Sequence, residues 1–180
     1  MESDLGLVLR AARYAAHQHR DQRRKGVGRR PYVNHCLDVA DLLARVAGVT
    51  DPVLLAGAIL HDVVEDTDAT EADVRRLFGD AVADLVMEVT DDKALPKAER
   101  KRLQEAHAHH KTPAARLLKL ADKISNLRDL AADPPEWPAE RCRDYVAWAR
   151  RVVAPMRAAS PALAALFDEV ANAADAHWAP

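Results

Sequence analysis

LLAGAILHDVVEDT, residues 54–67, runs seven apolar or small residues straight into His61, Asp62, Glu65 and Asp66. At about 100° per residue on a helix, His61, Glu65, Asp62 and Asp66 fall near 0°, 40°, 100° and 140°, so all four share one side. Asp62 and Asp66 form an i,i+4 like-charge pair, and a helix C-terminus already carries partial negative charge from its unpaired carbonyls. Each effect is small at a solvated surface and grows if the apolar turns draw the site inward, where a bound cation is the natural compensation. Taken alone, the stretch can equally be a last turn fraying into water. The rest of the chain has to decide.

The chain has 180 residues, 49% of them hydrophobic, enough for one domain with a substantial core. A net charge of −2 lacks the basic excess of a general nucleic-acid binder, so any anion affinity must be local. Two cysteines, Cys36 and Cys142, and an opening MESDLGLV with neither a basic start nor a long apolar core point to the cytoplasm rather than to secretion. The longest apolar run, residues 53–60, is far short of a membrane span.

Apolar residues recur at helical spacing almost everywhere and no strand alternation competes, so the expected fold is all-α. Helix starts are expected at Asp51-Pro52, at Thr70 with Asp73 as a capping-box-like pair, and at Thr112-Pro113. Gly48 and Gly79 mark stops. Breaks fall at residues 22–30, 92–96 and 133–138, each too short for a domain linker.

Two further stretches carry polar residues on apolar approaches. In PYVNHCLDVADLLARV, His35 shares a stripe with Val39 and Leu42 and should point inward, where a hydrogen-bonded core histidine is the ordinary outcome. In ARLLKLADKISNLRDL, Asp122 lies on a face with Leu118, Ser125, Asn126 and Asp129, while Leu117, Leu120, Ile124 and Leu127 form most of the core stripe. That polar face could simply be solvated. His35, the adjacent His61-Asp62 and Asp122 nevertheless supply two nitrogen and two oxygen donors from three helices.

This H…HD…D pattern resembles the HD-domain metal-dependent phosphohydrolases, and the resemblance implies a compact helical HD-domain fold with one divalent ion on His35, His61, Asp62 and Asp122. A narrower resemblance covers nearly the whole chain. HRDQRRKG (residues 19–26), RPYVNH (30–35), ILHDVVEDT (59–67), VTDDKALPKAERK (89–101) and KLADKISNLRDL (119–130) are similar to the single-domain alarmone hydrolases, the small metazoan-SpoT-like members of the RelA/SpoT group. It implies a single HD-type hydrolase domain over residues 1–180 with no synthetase or regulatory domain. The implied activity is removal of the 3′-diphosphate from guanosine 3′,5′-bis(diphosphate), ppGpp, and from its pentaphosphate counterpart, with manganese (Mn2+) as the ion.

The residues suit that chemistry. A divalent ion lowers the pKa of water and neutralises developing charge on a phosphate. Glu65 and Asp66 resemble the group's catalytic pair and would orient or deprotonate the attacking water. Arg24 and Lys25, within a cation-rich segment of residues 20–30, match an Arg-Lys pair set against the nucleotide, and Asn126 matches a substrate-contacting asparagine. Lys97, Arg100 and Lys101 form either a second phosphate-facing patch or an ordinary solvated helix face. Tyr32 and Tyr145 are left open between pocket and core, and Trp137, Trp148 and Trp178 read as packing anchors. His107, His109 and His110 read as an exposed cluster for adventitious metal.

Two positions depart from the group's pattern. Cys36 stands where proline usually follows the first metal histidine, so proline's fixed φ is lost, and Ser125 replaces a bulkier side chain. Competing readings are an HD phosphatase acting on another nucleotide, such as the 2′-phosphate of NADPH, and a catalytically silent nucleotide-binding module. A nucleic-acid-binding reading of the Arg-rich segment runs against the overall charge.

Overall fold

The structure, a computed structural model, describes residues 3–179. Its helices are α1 (Asp4–Gln18), α2 (Val33–Arg45), α3 (Pro52–Leu60), α4 (Val63–Asp66), α5 (Glu71–Phe78), α6 (Asp80–Val89), α7 (Lys97–His107), α8 (Pro113–Ala132), α9 (Ala139–Val153) and α10 (Pro161–His177). Short 3-10 segments follow α7 and α9. Among the described residues there is no strand, only an isolated bridge between Arg23 and Pro31. None of the helices is long and apolar enough to cross a membrane.

Local chemistry sets the helix ends. Asp51 accepts from the Val53 N–H and Thr112 from the Ala115 N–H, each ahead of a proline in the first turn. Thr70 and Asp73 close a reciprocal capping box. Gly48 and Gly79 take the positive φ values, 67° and 87°, that end α2 and α5.

Two helices take the interior, α3 apolar nearly all round and α8 with charged residues among its buried ones. Six residues of α3 are buried, and Gly57 there lies so close to α6 that a Cβ would meet Leu85 at 2.6 Å. The long α8 packs against α2, α6, α9 and α10. Leu118, Leu120, Ile124 and Leu127 are fully buried on it, each contributing about 1.5–3 kcal/mol by leaving water.

The structure differs from the sequence reading in two places. The single helix expected through residues 54–67 is two: α3 ends at Leu60, Asp62 sits at φ −101°, ψ −3°, and α4 restarts at Val63. His61 takes part in the break, because its Nδ1 bonds the Ala58 carbonyl at 2.7 Å. The face of α8 that could have been solvated is buried at Leu118, Asp122 and Ser125 and half-buried at Asn126 and Asp129; Lys119 and Lys123, outside that face, are also at most 6% exposed, while the expected stripe member Leu117 is only partly covered. Packed against α2, α3, α6, α9 and α10, the middle of this helix, residues 118–125, has no solvent face to offer.

Candidate active site

The kink after Leu60 divides the opening stretch into two working halves. His61 and Asp62 turn toward α2 and α8, whereas Glu65 and Asp66 reach the loop before α7. In the first half, the ligand-capable atoms of His35, His61 and Asp62 lie within 4.8 Å of one another. Asp122 joins from α8, its Oδ1 lying 3.3 Å from His35 Nε2 and 3.9 Å from His61 Nε2. Both histidines are at most 3% exposed.

Tautomer logic defines what this cluster needs. The His61 Nδ1 contact with a carbonyl requires an N–H there, so in the neutral ring Nε2 carries a lone pair. That nitrogen is buried, has no hydrogen-bond partner, and faces Asp62 Oδ2 at 3.1 Å. A lone pair against a carboxylate is repulsive unless a proton or a cation lies between them. The electrostatics agree. Burial alone would lower the His61 pKa, but Asp62 and Asp122 outweigh it and raise it. His35 is lowered by burial. Asp62 is held well below the usual carboxylate range because His61 and His35 overcome its burial, and Asp122 because Lys123, His35 and Lys119 do. The donor set fits a divalent ion of the kind an HD domain implies.

Surrounding groups hold these side chains in place. His35 Nδ1 meets Ser125 Oγ at 3.0 Å, and Lys123 Nζ pairs with Asp122 Oδ2 at 2.9 Å while lying over the Trp148 ring. The Tyr32 hydroxyl lies 2.6 Å from Asp62 Oδ2 and 3.1 Å from Asp66 Oδ2, tying the two halves together. Burial, with Asp62 and Asp66 beside it, pushes that hydroxyl well up, so it remains a donor. Cys36 is fully buried and burial raises its thiol, which keeps it protonated and inert.

Glu65 accepts from the Asp91 N–H at 3.0 Å and faces Arg100 at 3.5 Å; burial, then Asp62 and Asp91, raises its pKa. Asp66 pairs with Lys93. Arg24 donates to Asp129 Oδ2 and Asn126 Oδ1, each at 2.7 Å, and lies over the Tyr32 ring. Asn126 in turn donates to Asp122 Oδ1 at 2.6 Å. Its amide therefore links Arg24 to the ligand cluster, with both ends already engaged.

Two adjoining cavities open beside these groups. The first, ≈ 380 Å³, is lined by Arg24, Tyr32, Asn126, Leu130, Trp137 and Tyr145. The second, ≈ 310 Å³, has Glu65 and Asp66 in its wall and is lined by Lys25, Lys93, Lys97, Arg100, Lys101 and Arg141. Lys97, Arg100 and Lys101 thus belong to the cleft rather than to an ordinary solvated face. Lys97 and Arg141 lie over the Trp137 ring and Lys101 over the rings of Trp148 and Tyr145. Burial, and then neighbouring cations, lower the Lys97 and Lys101 pKa values. His109 and His110 are exposed, away from the cleft.

Sequence reasoning left Tyr32 undecided and did not single out Lys93, Asp129 or Arg141. Arg141, Tyr145 and Trp148 stand at i, i+4 and i+7, one face of a helix, which is the signal that was available.

An HD domain model matches residues 11–159, and the chain belongs to the HD-domain family. It is 53% identical over 154 residues to the human guanosine-3′,5′-bis(diphosphate) 3′-pyrophosphohydrolase MESH1, covering 85% of this chain and 86% of that protein. It is 47% identical over 171 residues to the Xenopus tropicalis protein of the same name, covering 94% and 96%. A solved structure of a metazoan orthologue of SpoT, described as hydrolysing ppGpp and acting in starvation responses, superposes with a TM-score of 0.89 at 48% identity, covering 91% of this chain and 93% of that one.

Proposed function

We propose that this chain hydrolyses ppGpp, and its pentaphosphate counterpart, to GDP or GTP and diphosphate, using one divalent ion held by His35, His61, Asp62 and Asp122. The observation that carries the reading is the second cavity: Lys97, Lys101 and Arg141 make no ion pair with any described carboxylate, and they line the same wall as Glu65 and Asp66. Unpaired cations beside a carboxylate pair suit a polyphosphate brought to a proton acceptor. The identity to pyrophosphohydrolases of this name supports the substrate.

When bound, the ion supplies Lewis-acid polarisation and a lowered water pKa; manganese is the ion implied by the resemblance to the alarmone hydrolases. The protein's own groups do the rest. Glu65 and Asp66 orient water and accept its proton, and Tyr32 keeps Asp66 in register with Asp62. Arg24, fixed in its plane by Asp129 and Asn126, offers a face to the purine, while Lys25, with Lys93, Lys97 and Arg141, meets the phosphates. Asn126 contributes by holding Arg24 and Asp122 as much as by touching substrate. The reading takes the HD domain matched over residues 11–159 as the hydrolase unit, acting in the cytoplasm.

The test strips metal from the protein and measures release of GDP and diphosphate from ppGpp with and without manganese, beside Glu65→Gln and Asp66→Asn, with NADPH as a parallel substrate. Manganese-dependent turnover lost in both variants is the expected result. Turnover of NADPH alone overturns the substrate, and tight binding without turnover of either makes the chain a sensor.

A further inference from the structure

His19 caps the C-terminus of α1 and directly precedes the cation-rich segment, in which Arg20, Asp21 and Arg23 are exposed. The His19 ring turns the other way. It is 1% exposed and stacks on Tyr32, with centroids 4.8 Å apart and planes inclined by 29°. Its Nδ1 meets Gln22 Oε1 at 2.6 Å, and Gln22 Nε2 donates in turn to the backbone carbonyl of Asp66. The Gln22 carbonyl accepts the Tyr32 N–H at 3.1 Å. Because the Tyr32 hydroxyl donates to Asp66 Oδ2 at 3.1 Å, the contacts close a circuit from His19 through Gln22, Asp66 and Tyr32 back to His19.

The circuit fixes its own polarity. A carbonyl can only accept, so the Gln22 amide turns its nitrogen to Asp66 and its oxygen to His19, which places a hydrogen on His19 Nδ1. In the neutral imidazole Nε2 then carries the lone pair, and that atom is buried without a hydrogen-bond partner. A buried acceptor left unsatisfied costs about 1–3 kcal/mol. A phenylalanine there would keep the stack on Tyr32 and avoid that cost. What the imidazole adds over a hydrocarbon ring is its hold on Gln22, and a polar group kept at such a cost points to function.

Asp66 needs that hold. It is the last residue of α4, which has only four residues and therefore little rigidity of its own. Its carbonyl lies among the last four that a helix leaves without an internal partner. Gln22 supplies the partner, while Tyr32 restrains the carboxylate of the same residue.

We propose, resting on the role given to Asp66 above, that His19 and Gln22 are positioning residues for the hydrolysis, clamping Asp66 by its backbone and Tyr32 by its ring and N–H. The clamp keeps the Asp66 carboxylate aligned with the metal donors. Neither residue lines the two cleft cavities, so their loss acts on kcat and leaves KM nearly alone.

The test compares His19→Phe, His19→Asn and Gln22→Met with the wild type. Asparagine carries its Nδ2 where histidine has Nδ1, so it restores the donor without the ring. On ppGpp with manganese, His19→Phe and Gln22→Met should lower kcat about tenfold or more at unchanged KM, and His19→Asn should recover most of that loss. Hydrogen exchange reads the clamp without any reaction. The amides of Asp66 and Thr67, bonded to the Asp62 and Val63 carbonyls, should exchange about tenfold or more faster in His19→Phe and Gln22→Met. The manganese-induced rise in melting temperature should persist in all three variants, because the metal donors are untouched. Should His19→Phe fail to fold, Gln22→Met, at a half-buried position, decides. Folded variants with wild-type kcat and exchange overturn the proposal, and so does a loss of kcat that His19→Asn leaves unrelieved. A wild type that leaves ppGpp intact overturns the function proposed above, and the clamp then stands or falls on the exchange rates alone.

Discussion

The cluster around His61 and the basic lobe around Lys97 share a wall but are built in opposite ways. The first is assembled from α2, α8 and the break between α3 and α4, and its histidines and Asp122 are buried and cross-bonded. The second comes from α7 and α9, and its cations rest on aromatic faces. Burial makes the cluster rigid and costly to leave uncompensated, whereas the lobe remains partly solvated and adaptable. In the proposed reaction the first region performs the chemistry and the second holds the nucleotide.

The largest expected effect is at the buried end. A Lewis-acid contribution of several kcal/mol corresponds to roughly 10³-fold or more in rate, so His61→Ala should abolish turnover. Manganese at a hundred times its dissociation constant should stabilise the wild type by about 2.7 kcal/mol and leave His61→Ala nearly unmoved, which melting curves with and without chelator can read. Glu65→Gln should lower kcat by about 10²-fold or more while keeping the metal-induced stabilisation; loss of both would place Glu65 in the ligand cluster.

At the basic end, Lys97→Ala or Arg141→Ala should each raise KM about tenfold with kcat little changed, as loss of a charge-assisted contact predicts. A fall in kcat as deep as that of Glu65→Gln would dissolve the division between chemistry and binding. The smallest change is Tyr32→Phe, which removes the hydroxyl between Asp62 and Asp66 at a cost of about 1 kcal/mol in a thermal melt. A wholesale loss of metal-induced stabilisation there would mean that Tyr32 holds the cluster together.

The two regions also differ in how far they could be read beforehand. His35, His61 and Asp122 each end or interrupt an apolar stripe, and that interruption is a local signal any helix displays. Lys97, Arg100 and Lys101 alternate with Glu99 and Glu105, a pattern shared with countless solvated helices, so nothing local distinguished them. Lys93 and Asp129 owe their place to loops and helix ends whose direction is set by packing.

The amino-acid order by itself determined the all-α character and the starts at Asp51, Thr70 and Thr112, because capping and apolar periodicity act within one or two turns of chain, while the grouping of His35, His61, Asp62 and Asp122 was legible only through the resemblance to HD-domain phosphohydrolases. Only the tertiary structure decided that the helix breaks between Leu60 and Val63, that the middle of α8, residues 118–125, is buried all round, and that cations from α7 and α9 meet Glu65 and Asp66 across one cleft. Those outcomes depend on which surfaces exclude water together, and residues far apart in sequence decide that jointly.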